Sequence, residues 1–93
     1  MNYIYILECS DKTWYTGWTT DLEKRIRVHN KGLGAKYTRG RLPVKLIYYE
    51  EFDTPNEAKA REYEIKRLNR KKKEALVAGC LRNGPAEGKN ALR

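Results

Sequence analysis

Thr13-Trp14-Tyr15-Thr16-Gly17-Trp18-Thr19-Thr20-Asp21-Leu22-Glu23-Lys24-Arg25-Ile26-Arg27-Val28-His29 reads as a strand, a tight corner at Gly17, and then a helix that begins at a cap. Thr20-Asp21-Leu22-Glu23 fits a capping box, in which the Thr hydroxyl and the Glu carboxylate each satisfy an orphan amide. On a 3.6-residue period Leu22, Arg25, Ile26 and His29 share one helical face, an arc of roughly 100°. Leu22 and Ile26 need a core, so the edge of that core must receive a guanidinium and an imidazole. Two polar groups on the inward side of a short helix mark a candidate site.

Working outward, Asn2-Tyr-Ile-Tyr-Ile-Leu-Glu8 is rich in β-branched and aromatic residues and predicts a first strand. Tyr3, Tyr5 and Leu7 lie on one side of its pleat and Ile4 and Ile6 on the other. Both sides are apolar, so the strand is expected to be central and covered on two faces. Cys9-Ser-Asp-Lys12 supplies turn chemistry for a hairpin. The first helix is expected to end near Asn30, with Lys31-Gly32 as its stop. A glycine-rich basic loop follows, from Lys31 to Pro43. Val44–Glu50 predicts a third strand in which Val44, Leu46 and Tyr48 alternate with Lys45, Ile47 and Tyr49. A second capping box, Thr54-Pro55-Asn56-Glu57, opens a helix whose inward stripe is Ala58, Arg61, Glu62, Ile65 and Leu68. A basic helix is predicted from Arg70 to Ala78, stopped by Gly79. The expected fold is α+β, a small three-stranded antiparallel sheet flanked by helices in the order β-β-α-β-α-α. Residues 1–80 are expected to form the domain, and residues 81–93, which lack periodicity, a disordered tail.

The 93 residues carry 20 Lys and Arg against 12 Asp and Glu, a formal charge of +8. The excess is clustered: Lys24 to Tyr49 holds eight bases and no acid, and Lys59 to Lys73 holds eight bases against Glu62 and Glu64. Such clustering is the footprint of a polyanion binder, and nucleic acid is the expected partner. A membrane partner is not expected, since no segment approaches the roughly 20 apolar residues that span a bilayer. Cys9 and Cys80 form no metal-ligand or disulfide framework, and Met1 leads straight into the first strand. A reduced, cytoplasmic setting follows. A monomer is the default.

Arg25, His29 and Glu62 point toward the core edge, and the hairpin places Tyr5 and Tyr15 on adjacent strands. A lone carboxylate holds a Mg²⁺-type ion when water and phosphate complete its shell. A guanidinium neutralises charge on a phosphoryl group, and a phenol or imidazole orients or deprotonates water. These parts suffice for hydrolysis of a phosphodiester with one metal ion. Lys36, Tyr37, Arg39 and Arg41 in the loop, with Lys66 and Arg70 on the later helices, are candidate nucleic-acid contacts. Each group has a plainer reading too: core tyrosines, an Arg25–Glu62 structural ion pair, a capping histidine and a solvated loop.

Tyr3-Ile4-Tyr5, followed after nine residues by Tyr15-Thr16-Gly17, resembles the GIY-YIG signature. Trp18-Thr-Thr-Asp-Leu-Glu-Lys-Arg25 resembles the stretch that follows it, and Ala58-Lys-Ala-Arg-Glu62-Tyr-Glu-Ile65-Lys resembles the helix bearing that family's metal-binding glutamate. His29-Asn30, Gly34-Ala-Lys-Tyr-Thr38 and Arg41-Leu-Pro43 are shared with small stand-alone proteins of the family. The resemblance covers residues 1–79. It implies an α/β sandwich and endonuclease chemistry on DNA or structured nucleic acid. It further implies that Tyr5 or Tyr15 prepares the water and that Arg25 stabilises the developing charge. Glu62 would ligate Mg²⁺ or Mn²⁺, with His29 where some members place a helper to the base. Two positions depart from the pattern: Tyr3 replaces a common glycine, and Trp18 stands where the repair nucleases of the family have lysine. Asn69 matches a late asparagine of the family only by proximity. The second reading is a nucleic-acid-binding module without cleavage.

Overall fold

The computed structural model describes residues 1–79; the expected tail at 81–93 lies outside the described residues. The elements are β1 (Asn2–Glu8), β2 (Trp14–Thr19), α1 (Leu22–Asn30), α2 (Lys36–Arg39), β3 (Lys45–Phe52), α3 (Pro55–Lys66) and α4 (Arg70–Val77). The expected α+β order holds with one addition. Helix α2 lies within residues 31–43, a stretch expected to be irregular throughout. The Thr38 amide and hydroxyl both bond back to the Ala35 carbonyl and close that turn.

The three strands run antiparallel in the order β2-β1-β3. The apolar pattern of β1 on both sides makes it the central strand, and each face buries its own cluster. Ile4 and Ile6 pack with Tyr48, Ala58, Ile65 and Leu76 beneath α3 and α4. Tyr5 and Leu7 pack with Val44, Leu46, Leu22 and Ile26 beneath α1. The alternation expected in β3 does not run through the strand. Ile6 pairs with Tyr48 but Leu7 pairs with Leu46, so Ile47 is an extra residue on β3. A bulge of this kind reverses the side-chain phase. Leu46 and Tyr49 therefore face α1, while Ile47 and Tyr48 face α3.

The caps also differ in detail. Thr54 and Glu57 form the expected capping box on α3, whereas α1 starts one residue later than expected. Asp21, not Thr20, is its cap: the backbone there is extended, and the carboxylate accepts from the Lys24 amide at 3.1 Å. At the other end of α1 the Asn30 amide takes both polar groups of Val44, donating to its carbonyl at 3.1 Å and accepting from its N–H at 2.7 Å. That clamp ties α1 to the start of β3.

Helix α3 is fixed by a network that the sequence did not reveal. Glu50, buried in β3, accepts from Arg61 Nε at 2.9 Å and from Nη2 at 3.0 Å. The buried Tyr48 hydroxyl donates to the same carboxylate. Burial, followed by the Glu50 contact, pushes the Tyr48 phenol well above the usual tyrosine range. For Arg61 burial works against the charge, but the Glu50 carboxylate outweighs it and the guanidinium stays charged. Removing one partner of such a buried pair leaves a charge without compensation, at a typical cost of about 3–5 kcal/mol. Glu50→Ala is therefore expected to lower unfolding free energy by about that amount in urea titration. Glu64→Ala, which breaks the exposed contact to the same arginine, should change it by less than about 1 kcal/mol.

Candidate active site

The register of the hairpin sets Tyr5 opposite Gly17. A Cβ at position 17 would lie 2.5 Å from the Tyr5 hydroxyl oxygen, so glycine is what lets the phenol lean over the neighbouring strand. The hydroxyl reaches Nε2 of His29 at 3.1 Å. On the other side of the ring, Nδ1 meets Thr38 Oγ1 at 2.9 Å. Thr38 already donates its single hydroxyl proton to the Ala35 carbonyl, so its oxygen accepts from His29 Nδ1–H. Nε2 is then the bare nitrogen, and Tyr5 must donate to it. A chain of directed hydrogen bonds runs Tyr5 → His29 → Thr38 → Ala35. His29 is 0% exposed and Tyr5 1%. Gly34 closes the pocket from above, since a Cβ there would overlap the imidazole.

Burial raises the Tyr5 pKa, with Arg25 close enough to oppose the shift and Tyr15 and Glu62 close enough to add to it. Burial, and then Arg25, lowers the His29 pKa below its ordinary 6.5. Both shifts favour the neutral, hydrogen-bonded pair. His29 bonds the Tyr5 hydroxyl and the Tyr15 ring lies 6.4 Å from that of Tyr5, while Arg25 and Glu62 act on the phenol through their charge. Among the described residues Arg25 makes no ion pair, so the structural Arg25–Glu62 bridge is absent. Tyr15 sets its ring edge-on to His29, 5.5 Å between centroids, and is only half buried. The two phenols, left equivalent by the sequence, are distinct here: Tyr5 is buried on the histidine, and Tyr15 lies at the rim.

The cation beside Glu62 comes from its own helix. Lys66 Nζ lies 3.0 Å from Glu62 Oε2, with the carboxylate side chain 19% and the lysine 51% exposed. No group of three or more His, Cys, Asp or Glu side chains converges among the described residues. The donor set is one accessible carboxylate. That fits a hydrated hard cation whose shell is completed by water and phosphate oxygens, and does not fit a cation caged by protein.

The proposed nucleic-acid contacts divide into two groups. Lys36 and Arg39 are exposed and have no acidic partner among the described residues. Arg41 bonds Asp11 at 3.0 Å and the Tyr37 carbonyl at 2.7 Å and lies over the Tyr37 ring. Arg70 bonds Glu74 and the Lys12 carbonyl and lies over Trp14. Lys66 is paired as described. Asn69, the candidate raised by proximity, accepts from the Lys72 amide and caps α4. Thr38 was missed as a site residue. Its signal was the Gly34-to-Thr38 stretch, whose small residues and hydroxyl build the roof over His29.

Residues 1–75 match the family model described as GIY-YIG catalytic domain. The chain is 60% identical over 78 residues to the UPF0213 protein CPE1444 of Clostridium perfringens, covering 84% of each chain. It is 50% identical over 76 residues to the UPF0213 protein YazA of Bacillus subtilis, which is 82% of this chain and 77% of that one. The solution NMR structure of the UPF0213 protein BH0048 from Bacillus halodurans is 50% identical, covers 100% of both chains and has a TM-score of 0.56. That of the protein EF2693 from E. faecalis is 39% identical, with 90% of this chain and 91% of that one covered and a TM-score of 0.57.

Two outcomes test this geometry. Gly34→Ala should lower stability by about 1–3 kcal/mol, the usual penalty for overpacking, and shift the His29 ring resonances in NMR spectra. Gly40→Ala, where an added Cβ meets nothing within 4 Å, should leave both unchanged within about 0.5 kcal/mol. Because the folded His29 pKa lies below 6.5, its contribution to stability is complete above that pH and is lost as pH falls through the folded value. Wild type should therefore lose stability in that window, and a His29→Gln variant should lose less over the same interval.

Proposed function

The chain belongs to the GIY-YIG catalytic-domain family, and on that footing we propose that it is an endonuclease hydrolysing phosphodiester bonds in nucleic acid, with DNA the first substrate to test. The observation that carries the reading is the buried Tyr5–His29 hydrogen bond, with Tyr15 edge-on to the same imidazole and the charges of Arg25 and Glu62 near enough to act on the phenol.

Tyr5 receives the proton of the attacking water as its own proton passes to His29 Nε2. The new bond forms between water oxygen and phosphorus, and the bond to the leaving oxygen breaks. Thr38 keeps Nδ1–H in place, so the imidazole cannot turn or change tautomer during the transfer. In the free protein Arg25 disfavours a charged imidazole. Negative charge building on the phosphoryl oxygens offsets that guanidinium and makes His29 a stronger base when the proton arrives. Arg25 in turn stabilises that charge. Glu62 would hold a hydrated Mg²⁺ or Mn²⁺, and the ion when bound would neutralise charge on the phosphate oxygens. Lys66 must leave Glu62 Oε2 for this, and its exposed side chain is free to swing. Lys36 and Arg39 with the basic face of α4 draw the polyanion to the site.

The test is incubation of the protein with supercoiled, branched and single-stranded DNA in Mg²⁺ or Mn²⁺. Arg25→Ala is expected to reduce cleavage by roughly 10²–10³-fold, and Tyr5→Phe by roughly 10²–10⁴-fold. Glu62→Ala should abolish the cleavage that divalent ion supports. The neutral imidazole is the reactive form, so the rate should be full above pH 6.5 and fall as pH drops below it. Cleavage that survives Arg25→Ala and Glu62→Ala would overturn the assignment. Binding without cleavage on every substrate would establish the module reading.

A further inference from the structure

Strand β2 is an outer strand of the sheet, and a cleft of about 220 Å³ opens along it, lined by Trp14, Tyr15, Thr16, Tyr37, Lys66 and Lys73. Its composition is specific: three aromatic rings, two ammonium groups and no carboxylate. Tyr37 is nearly parallel to Tyr15, with centroids 6.1 Å apart and planes at 21°. Guanidinium groups brace the outer rings, Arg41 at 4.0 Å from the Tyr37 centroid and Arg70 at 4.0 Å from that of Trp14. These contacts hold the walls rigid while leaving Tyr37 39% exposed. Thr16 Oγ1 is the single buried side-chain polar atom without a hydrogen-bond partner among the described residues. Lys73 lies close enough to Arg70 and Lys66 for their charges, after burial, to lower its pKa.

Flat apolar walls braced by cations suit a flat heterocycle that carries an anion. Tyr15 belongs to this cleft and also lies against His29, so an occupant here sits beside the reacting centre. We propose that the cleft is a nucleobase subsite: it takes one base out of its stack, against Tyr37 and Tyr15, with an adjoining phosphate on Lys66 and Lys73. Placement of that nucleotide next to the cleaved bond rests on the endonuclease reading; binding of the base does not. An occupied subsite draws Lys66 toward phosphate and away from Glu62. Because every base has a stacking face, the subsite demands an unstacked base without demanding a particular one.

The test separates base binding from cleavage. Full-length protein in a metal chelator is titrated, by fluorescence anisotropy at fixed salt, against an oligothymidylate and against an abasic deoxyribose-phosphate strand of equal length. Wild type should prefer the base-bearing strand by about tenfold or more. Tyr37→Leu, which keeps apolar bulk but removes the ring, should lose that preference while binding the abasic strand as wild type does. Tyr37→Phe should retain it. Lys73→Ala should weaken both strands together. Equal binding of the two strands by wild type, or an unchanged preference in Tyr37→Leu, would overturn the subsite. Loss of cleavage activity with the preference intact would instead overturn the endonuclease reading alone.

Discussion

The hydrogen bond between the Tyr5 hydroxyl and His29 Nε2 is the contact on which the rest of the α1 face depends. It joins the central strand to the last turn of α1 at a buried point, and a hydroxyl or imidazole left unpaired there would cost roughly 1–3 kcal/mol. Several local choices exist to make it possible. Gly17 clears room for the phenol, Gly34 clears room for the imidazole, and Thr38 fixes which nitrogen carries the proton. Asn30 then clamps the helix end to Val44, so the ring cannot drift from the strand. The same residues that stabilise the fold therefore fix the direction of the hydrogen-bond chain through His29.

The opposite face solves a different problem. Helix α3 must present Glu62 at the rim while its neighbours Ala58 and Ile65 enter the core. Hydrophobic packing alone is tolerant of small rotations. The two-pronged contact of Arg61 with buried Glu50 is not, because planar guanidinium and carboxylate groups meet well in few orientations. One residue further along the chain, Glu62 inherits that orientation.

Much of this was legible in the residues. The two-sided apolar pattern of Asn2–Glu8 placed the central strand, and the inward position of His29 picked out the group that bonds Tyr5. What escaped was three-dimensional. The bulge at Ile47 leaves no mark in an alternating apolar run, because both of its phases are apolar. The cap shift from Thr20 to Asp21 is equally hidden, because either side chain would serve as a cap. Periodicity also cannot choose a partner: Lys66, four residues on, pairs with Glu62, where Arg25 had been the alternative. The Glu50–Arg61 contact spans β3 and α3, and nothing in either segment alone announces it.

The distribution of cations completes the argument. Arg41, Arg61 and Arg70 are held by carboxylates and aromatic faces, whereas Lys36, Lys71 and Lys72 are exposed and have no acidic partner among the described residues. Arg39 is exposed and without an acidic partner among the described residues as well, so the charges left for solvent include both kinds of cation. Lysines of this kind attract phosphate through charge and counterion release, with little discrimination among sequences. Discrimination, on such a surface, has to arise where shape is fixed. The rigid places are the pocket around Tyr5 and the braced aromatic walls beside it, and Tyr15 belongs to both.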